Sequence, residues 1–536
     1  MAKELSYQPL PNLGINGLNT QDNPATLDPS YLTQADNIVL RESGRIAFRK
    51  GLKQKVAPSG TAIGSLTEHN DQGTNKVFAS HGTSIYTVDF TAPASAFPSS
   101  GADVKHTVAN SSGNWQFVNF NKRLHCFHSG VVPQRYDGAL SSGSRWAAFD
   151  NSTKPAGVTT FDPSCGMGYY GRIWCGGVGE GKDVLYYSTL LDGDDFRLNS
   201  ANAGSDGGSI SLRTVWGTDD IVAIAPFYGK IVIFGTNNIA IYDSPNVIGS
   251  MALNEVIRGV GLVSRDSVQA IGDDLVFLSN TGLRSLARTT EKDKLPLTDL
   301  SLNVKDTLIR HIGQSSAVKS IYVENEGIYI MTFTASNITY VFDFKHRTPN
   351  SAPRITTWTF DNDREPASMA YTTLYGLLIG QKDGSLAGYE QYYDTDLAGA
   401  STYTDSSYTA NFATTWVNLG ESVAAALLKR LFMVLEGGSG ATLGLKWYKD
   451  FSPTPSKTTS ITLNPVTTGS TALWGASTSL YGKSGVTYKP VFGLQEYRTP
   501  LTGSAKNLKI AISIESNGFD TSLQDLTLLH KQGKIR

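Results

Sequence analysis

The stretch DIVAIAPFYGKIVIFGTNNIAIYD, residues 220–243, decides how the rest of the chain is read. It holds three short apolar runs separated by two tight turns, Tyr-Gly-Lys at 228–230 and Thr-Asn-Asn at 236–238. Asn and Gly suit such turns because they tolerate positive φ. The apolar runs are continuous rather than alternating, which is typical of strands buried on both faces. The stretch therefore predicts a small antiparallel sheet packed between two neighbours.

The same pattern recurs along the middle of the chain. Six further copies lie at residues 75–89, 114–138, 166–188, 266–288, 318–344 and 367–391. The second turns of the copies are spaced by about 50 residues, a period typical of repeats with several strands per unit. One such sheet cannot bury its faces alone, whereas sheets stacked around an axis bury both. The sequence therefore predicts an all-β fold dominated by a β-propeller of about seven blades, with other all-β arrays as the alternative.

Composition and pattern divide the chain into three parts. Residues 1–58 form an irregular N-terminal arm that ends in a hairpin, NIVLRESGRIAFRKG at 37–51, and residues 59–400 carry the repeats. Beyond residue 400 Thr, Ser and Gly increase, and the strand pattern over 401–536 predicts a β-sandwich-like domain that serves as a platform for assembly. Two short helices are also predicted, over 297–313 and 421–430.

The charge, the cysteine count and the length of the apolar runs narrow the class of protein. The chain has 46 Lys and Arg residues and 47 Asp and Glu residues, so it lacks the excess positive charge of a protein that binds nucleic acid tightly. The three cysteines, Cys126, Cys165 and Cys175, do not form a disulfide framework and fit a reducing compartment. The N-terminus lacks an apolar signal stretch, and runs such as 221–227 are far shorter than the roughly 18 residues that span a bilayer. We therefore expect a soluble protein without a membrane span, made in the cytoplasm.

Two stretches come close to a ligand site. GGVGEGKD at 176–183 begins like a phosphate-binding loop, but Asp183 replaces the Ser or Thr that would hold magnesium, and a strand-like run follows. HCFH at 125–128 offers three metal-ligand side chains, but on a strand Cys126 and His128 share one face and the first histidine points to the other. The two close ligand pairs typical of zinc are missing from the sequence. We predict a loop and a core strand here, and neither a metal nor a cofactor.

Two acidic clusters support the alternative that the chain binds or cleaves glycans. They are DGDD at 192–195, which contains Asp194, and DNDRE at 361–365, which contains Asp363. A glycosidase needs two facing carboxylates, and aromatic side chains could stack on sugars. Both clusters lie in turn-like sequence, where Asp commonly caps loops, and the aromatics lie mainly within strands. We therefore expect no catalytic residues and a protein that is not an enzyme.

The hairpin at 37–51 carries four cations, which are the candidate assembly contacts: Arg41, Arg45, Arg49 and Lys50. On a two-residue period one side of the hairpin can be buried, and the cations mostly rim that side. We predict that the hairpin joins the arm to the propeller or to a neighbouring subunit, where Arg45 and Arg49 meet carboxylates. A cytoplasmic propeller that acts as a scaffold for protein partners is a further alternative.

Several stretches, taken in order, resemble the tail hub or nozzle proteins of short-tailed bacteriophages, also called tail tubular protein B or phage stabilisation proteins. The arm resembles their opening, with LGINGLNTQDNP at 13–24 followed by YLTQADNIVLRESGRIAFRKG at 31–51. Further similar stretches lie at residues 171–196, 226–243, 259–286 and 338–360, followed by a DG hairpin at 382–384. The resemblance extends from about residue 12 to 440 and more loosely to the end. The chain departs from many relatives by having Arg49-Lys50 where they place a Pro.

The resemblance implies a structural virion protein rather than an enzyme. Members of the family form a homo-hexameric ring at the distal end of the tail, below an adaptor ring close to the portal. They carry or contact tail fibres or spikes, and they continue and close the channel through which viral double-stranded DNA leaves. The expected location is the virion tail, after synthesis in the host cytoplasm, and contacts with the passing DNA should be weak and nonspecific.

Overall fold

The computed structural model describes most of the chain. The described residues are 5–41, 45–91, 95–98, 100–101, 103–198, 206–287, 299–314, 317–361, 364–390, 408–419, 425–437, 441–463, 494–516 and 521–532. The arm contributes five strands, β1 to β5, at Leu5–Pro9, Leu32–Asp36, Ile38–Leu40, Ile46–Phe48 and Leu52–Val56.

Five small antiparallel sheets follow in chain order, and we name them blades 1 to 5. Blade 1 contains β6 to β9, at Ile63–Asp71, Thr74–His81, Ser84–Thr87 and Lys105–Thr107. Blade 2 contains β10 to β13, at Gln116–Phe120, Arg123–His128, Val131–Tyr136 and Trp146–Ala148. Blade 3 contains β14 to β17, at Cys165–Tyr169, Arg172–Gly176, Val184–Tyr187 and Gly208–Ser211. Blade 4 contains β18 to β21, at Ile221–Phe227, Lys230–Gly235, Asn238–Asp243 and Ala252–Arg258, and blade 5 contains β22 to β24, at Gln269–Ile271, Asp274–Ser279 and Gly282–Ser285.

Two more sheets complete the ring. Strands β25 to β28 lie at Val318–Val323, Ile328–Phe333, Ile338–Arg347 and Pro353–Trp358. Blade 6 contains β29 to β31, at Pro366–Thr372, Gly376–Gln381 and Leu386–Tyr389, and its fourth strand is β5 from the arm. Strand β25 contacts both β22 of blade 5 and β29 of blade 6, and β29 contacts β6 of blade 1, so the ring closes.

Blade 4 shows why the sequence folds in this way. Tyr228 and Gly229 both have positive φ, which makes the tight turn that pairs Phe227 with Lys230. Along β19 the buried side chains alternate between two hydrophobic clusters, with Ile231 and Ile233 facing blade 3 and Val232 and Phe234 facing blade 5. Both faces of the strand are thus covered, which explains its uninterrupted apolar sequence.

The described residues of the C-terminal part form nine strands, β32 to β40. They lie at Thr409–Thr414, Val417–Asn418, Ala426–Glu436, Thr442–Lys449, Lys457–Thr462, Leu494–Pro500, Ser504–Ala505, Asn507–Glu515 and Ser522–Gln532. One ten-stranded sheet, the bridging sheet, runs in the order β25-β26-β27-β28-β2-β32-β39-β35-β36, with β33 also paired to β39. A seven-stranded sheet, the platform sheet, runs β3-β4-β40-β34-β37, with β1 paired to β40 and β38 to β34.

The bridging and platform sheets share one hydrophobic core. Met433 of the platform sheet and Leu443 and Ile512 of the bridging sheet are all buried in it. Two packed sheets agree with the predicted sandwich-like arrangement.

Few described residues are helical. Helix α1 is Arg213–Trp216 and helix α2 is Lys305–Gln314, and 3-10 turns lie at Asn151–Thr153, Ile248–Ser250, Arg265–Ser267, Leu302–Val304 and Glu324–Glu326. The helix predicted over 297–313 is present from residue 305, after the 3-10 turn at 302–304, while residues 297–298 lie outside the described part. The helix predicted over 421–430 is wrong for its described residues, because Ala426–Glu436 is a strand held by β40 and β37 on its two sides.

The structure confirms the all-β propeller. The count of about seven units differs slightly from the six separate blades found among the described residues, because β25 to β28 belong to the larger bridging sheet. The domain limits at residues 58 and 400 stay predictions. Strand pairing crosses both limits, since β5 belongs to blade 6 and β2 lies between β28 and β32.

Candidate functional site at the propeller axis

A cavity of about 810 Å³ opens at the propeller axis, where the first strands of the blades begin. Its wall is made mainly of small side chains and backbone, because the blades approach closely there. At Gly64 of blade 1 an added Cβ would lie 2.4 Å from the carbonyl oxygen of Gly113, so a larger residue would force the backbones apart. A second cavity, of about 260 Å³, lies further along the same first strands.

A polar cluster, here called the axial cluster, lies between the two cavities. Asp266 accepts from Arg265 at 2.9 Å and from Lys319 at 2.6 Å. Asn114 Oδ1 accepts from Lys319 Nζ at 2.7 Å and from Arg265 Nη2 at 3.1 Å. Asn114 precedes blade 2 and Arg265 precedes blade 5, on opposite sides of the ring, so these contacts cross the axis. Arg265 also donates to the carbonyl of Ser164 before blade 3 at 2.6 Å.

The axial cluster shifts the ionisation of its members. Burial raises the pKa of Asp266, but the neighbouring Arg265 and Lys319 outweigh burial and hold that pKa far below its ordinary value. Burial lowers the pKa of Lys319, and Asp266 offsets only part of this effect. Asp266 is therefore ionised across the neutral pH range, and it neutralises two cations that would otherwise face one another.

In two of the blades, a side-chain hydrogen bond connects the loop before the first strand to the turn after the second strand. In blade 4 the carboxylate of Asp219 accepts the backbone N–H groups of Thr236 and Asn237, each at 3.0 Å. In blade 2 the equivalent hydrogen bond joins Ser112 Oγ and His128 Nε2, which lie 2.7 Å apart. Ser112 is exposed and lines the axial cavity, whereas His128 is buried.

The four cationic side chains of the hairpin lie in different environments. Arg45 pairs with Glu436 of β34 at 2.9 Å, and Lys50 pairs with Glu326, in the turn between β25 and β26, at 2.8 Å. The hairpin thus links the platform sheet to the bridging sheet. Arg41 is half-buried, and its backbone carbonyl accepts from the side chain of Arg354 at 3.3 Å.

Arg49 is placed differently from the other three cations. Its side chain is fully buried, donates to Asn37 Oδ1 at 2.9 Å and stacks over the ring of Tyr408 at 4.0 Å. The assembly contact predicted for Arg49 therefore needs correction, because a side chain without exposed surface cannot reach a neighbouring subunit. For Arg41, Arg45 and Lys50 a role in assembly stays a prediction.

The acidic cluster around Asp194 forms an internal ion-pair centre. Its carboxylate accepts from His125 at 3.1 Å, from Arg123 at 3.1 Å and from Arg135, all on blade 2. Burial raises the pKa of Asp194, but the bonds from His125 and Arg135 outweigh burial and lower it. Asp194 thus holds the loop of blade 3 against blade 2. Asp363 of the second cluster lies outside the described residues.

The two motifs that resemble ligand sites are held within the fold by hydrogen bonds and packing. The stretch 176–183 connects β15 to β16, and Glu180 accepts the backbone N–H groups of Thr159 and Thr160 at 2.8 and 3.2 Å. His125 packs beside Phe149 toward blade 3, while His128 lies against Trp115 on the other face, as strand alternation predicts. Over the described ranges no group of three His, Cys, Asp or Glu side chains is arranged to hold a metal.

Sequence reasoning missed the axial cluster and the Ser112–His128 pair. The available signal was a charged pair, Arg265-Asp266, directly before a first strand, together with Lys319 inside another one. Only the ring brings these segments together, since 205 positions separate Asn114 from Lys319.

Comparisons with known proteins give no identity for the chain. A scan against protein-family models found no match, and a search of curated proteins found none either. Among solved structures the chain is similar to the Pan2 WD40 domain of Neurospora crassa, with 8% identity over 63% of this chain and 95% of that one, at a TM-score of 0.37. It is also similar to YCF48 bound to D1 peptide (8%, 66% and 97%, TM-score 0.37) and to the WD40 β-propeller domain of Doa1 (11%, 63% and 96%, TM-score 0.32). At such scores these likenesses carry no argument about function. In the described part of the chain, no helix has the length and apolar character needed to cross a membrane.

Proposed function

We propose that this chain is a structural subunit of the distal nozzle, or hub, of a short bacteriophage tail. In this role six copies form a ring that continues and closes the channel for DNA and docks to the tail adaptor and to fibres or spikes. The ordered set of motifs from the arm through the blades supports the proposal. The protein then belongs to the virion and acts through assembly.

The observation that carries the proposal is the bridging sheet. Strand β2 of the arm pairs with β28 through Asp36 and Thr357 and with β32 through Ala35 and Phe412. The propeller and the C-terminal sandwich therefore share one hydrogen-bonded sheet, and neither can swing without breaking it. A ring subunit that holds adaptor and fibre at fixed positions needs this kind of rigid two-part body.

The closed axis adds support for a channel made by several copies. Contacts of Asn114 with Arg265 and Lys319 cross the axis of the single propeller between its two cavities. A conduit for DNA would therefore lie between copies, on surfaces that the near-neutral net charge of -1 keeps from gripping phosphate tightly. The glycan alternative gains no such support, because the Asp194 carboxylate is engaged by three cationic or ring donors inside the fold.

The test is the assembly state of the purified chain. Mass photometry and electron microscopy, with and without the tail adaptor and fibre of the same phage, should show six-fold rings. Mass spectrometry of purified particles should find the chain in the tail. Monomers in the presence of both partners would contradict the nozzle role, and absence from purified particles would favour a cytoplasmic scaffold instead.

A surface variant and a matched control sharpen the test. Arg45→Glu changes a half-exposed cation that faces Glu436, and Lys182→Glu changes an exposed cation of blade 3 that pairs with Asp220. If the hairpin contributes to assembly, Arg45→Glu should reduce the fraction of rings several-fold while Lys182→Glu leaves it unchanged. Equal ring fractions in both variants would remove the hairpin from the interface without affecting the nozzle proposal itself.

A further inference from the structure

We propose that Ser112 is a nucleophile activated by His128, and that the axial cavity is an acyl-transfer site for small esters. This inference goes beyond the assembly role and does not depend on it. It rests on the protonation state that the hydrogen bonds impose on His128, on the exposure of Ser112 to the cavity, and on an oriented amide nearby.

The hydrogen bonds of His128 define which ring nitrogen carries the proton. Nδ1 lies 2.7 Å from the carbonyl oxygen of Ser129, and a carbonyl can only accept, so Nδ1 must carry the hydrogen. Nε2 then presents its lone pair to the hydroxyl of Ser112 at 2.7 Å. This is the geometry of a serine with its general base, in which a backbone carbonyl orients the imidazole.

A second contact confirms that Nε2 is an acceptor. The backbone N–H of Ser112 also points at Nε2, at 3.0 Å, so two donors converge on one nitrogen. The hydroxyl bond is the shorter of the two and provides the path for the proton. Burial and the positive charge of Arg265 lower the pKa of His128, although its bond to Ser129 raises it, and the imidazole is therefore neutral at pH 7.

An amide donor is oriented at the same cavity. Asn114 Oδ1 accepts from Arg265 and from Lys319, so the opposite end of its side chain, the Nδ2 amide, has a fixed direction. Asn114 is exposed, lines the cavity two residues after Ser112, and its Nδ2 has no hydrogen-bond acceptor among the described residues. A preorganised N–H donor of this kind can stabilise the negative oxygen that forms during acyl transfer.

The reaction balances with water as the only other reactant. Ser112 Oγ attacks the ester carbonyl while its proton passes to His128 Nε2, and the tetrahedral oxyanion accepts a hydrogen bond from Asn114 Nδ2. The carbon–oxygen bond to the leaving alcohol then breaks, and the alcohol takes the proton from Nε2. Water attacks the acyl group in the same way and releases a carboxylic acid and free Ser112. The wall is formed mainly by small Gly, Ala, Ser, Thr and Val residues, with Asp266, Lys319 and Lys382 also lining it, and the small residues leave room for a short acyl group.

Blade 1 supplies a control within the same chain. Ser59 Oγ lies 2.5 Å from His81 Nε2, so blade 1 has the same serine–histidine contact as blade 2, where the distance is 2.7 Å. Ser59 is not among the residues that line the axial cavity. If the pair alone were sufficient, both serines would react; if the cavity and Asn114 are needed, only Ser112 reacts.

The experiment uses the full-length chain and a fluorophosphonate probe at pH 7.5. Peptide mapping should locate the probe on Ser112, and p-nitrophenyl acetate should give a burst of nitrophenol with one acyl group per chain. Ser112→Ala and His128→Gln should reduce the labelling rate at least 100-fold, Asn114→Ala about 100-fold, and Ser59→Ala should leave the rate unchanged. Labelling of wild type no faster than of Ser112→Ala would overturn the proposal.

The pH dependence of labelling distinguishes a general base at His128 from a histidine that only forms a structural hydrogen bond. With His128 as the base, the labelling rate should rise with pH and level off below pH 7, because the pKa of His128 lies below its ordinary value of 6.5. A rate that keeps rising up to pH 9 would overturn the role of His128. Circular dichroism of each variant tests whether the fold is kept. Ser112→Ala changes an exposed side chain, so its result stands even where His128→Gln is less stable.

Discussion

Two sets of ion pairs hold distant parts of this chain together, and they differ in how much water reaches them. At the axis the side chains of Arg265 and Lys319 keep only 11% and 15% of their exposure, whereas Arg45 and Glu436 at the hairpin keep 38% and 30%. Exposed charges are screened by water and salt, and charges in a covered site are not. The axial cluster should therefore contribute to stability, while the hairpin pairs mainly orient the surface.

The largest effect is expected for Asp266→Ala. This change leaves Lys319 and Arg265 close together without their carboxylate, and removing one partner of a buried pair costs about 3 kcal/mol of unfolding free energy. Urea unfolding followed by tryptophan fluorescence measures the loss. Asp266→Ala combined with Lys319→Met should recover part of it, because one of the two orphaned cations is removed. A matched change in an exposed pair, Asp220→Ala, should cost less than about 1 kcal/mol.

The next largest effect is expected for Arg49→Lys. A lysine keeps the charge but loses the planar group that stacks on Tyr408 and donates to Asn37, so the unfolding free energy should fall by about 2 kcal/mol. Arg45→Lys on the same hairpin is the control and should change stability by less than about 0.5 kcal/mol. Similar losses in both variants would contradict the difference in burial between the two arginines.

Acid should destabilise the protein from about pH 6.5 downward. Burial lowers the pKa of His69, His106 and His128, so the folded state keeps these rings neutral while the unfolded chain binds protons as the pH falls below 6.5. Stability is therefore fully present above pH 6.5 and is lost at lower pH, by an amount on the order of 1 kcal/mol per histidine and pH unit. Urea midpoints at pH 7.5, 6.5 and 5.5 measure the loss, and His106→Gln should flatten the curve. A midpoint that rises toward pH 5.5 would contradict the sign.

The smallest effect is expected for Arg45→Glu. The hairpin pair lies in partial solvent, so placing two like charges at Arg45 and Glu436 should cost less than about 1 kcal/mol. The exchanged pair, Arg45→Glu with Glu436→Arg, should restore the stability of the wild type. Added salt should shrink the cost further, and a cost that does not respond to salt would place this pair with the axial cluster instead.

The sequence predicted the blades well because their information is local. Positive φ at Tyr228 and Gly229, and the apolar run at 231–234 of β19, follow from residues within one blade. The prediction failed at residues 426–430, where ALLKR has a helical composition but forms part of β34. That strand is held by β40 and β37 through pairings that no nearby residue reveals, so tertiary pairing overrides local propensity. The blade count was slightly high because β25 to β28 merge with arm and C-terminal strands.

The sequence by itself determined an all-β chain of repeated small sheets, because turn residues and apolar runs act within a few positions. Only the tertiary structure decided where charge is buried. It buried Arg49 against Tyr408, joined Asn114 to Lys319 across the axis, and opened Ser112 onto a cavity. The physical reason is that burial and hydrogen-bond partners depend on segments far apart in the chain. The sequence determines which side chains are charged, and the closed ring determines which of them are exposed to solvent.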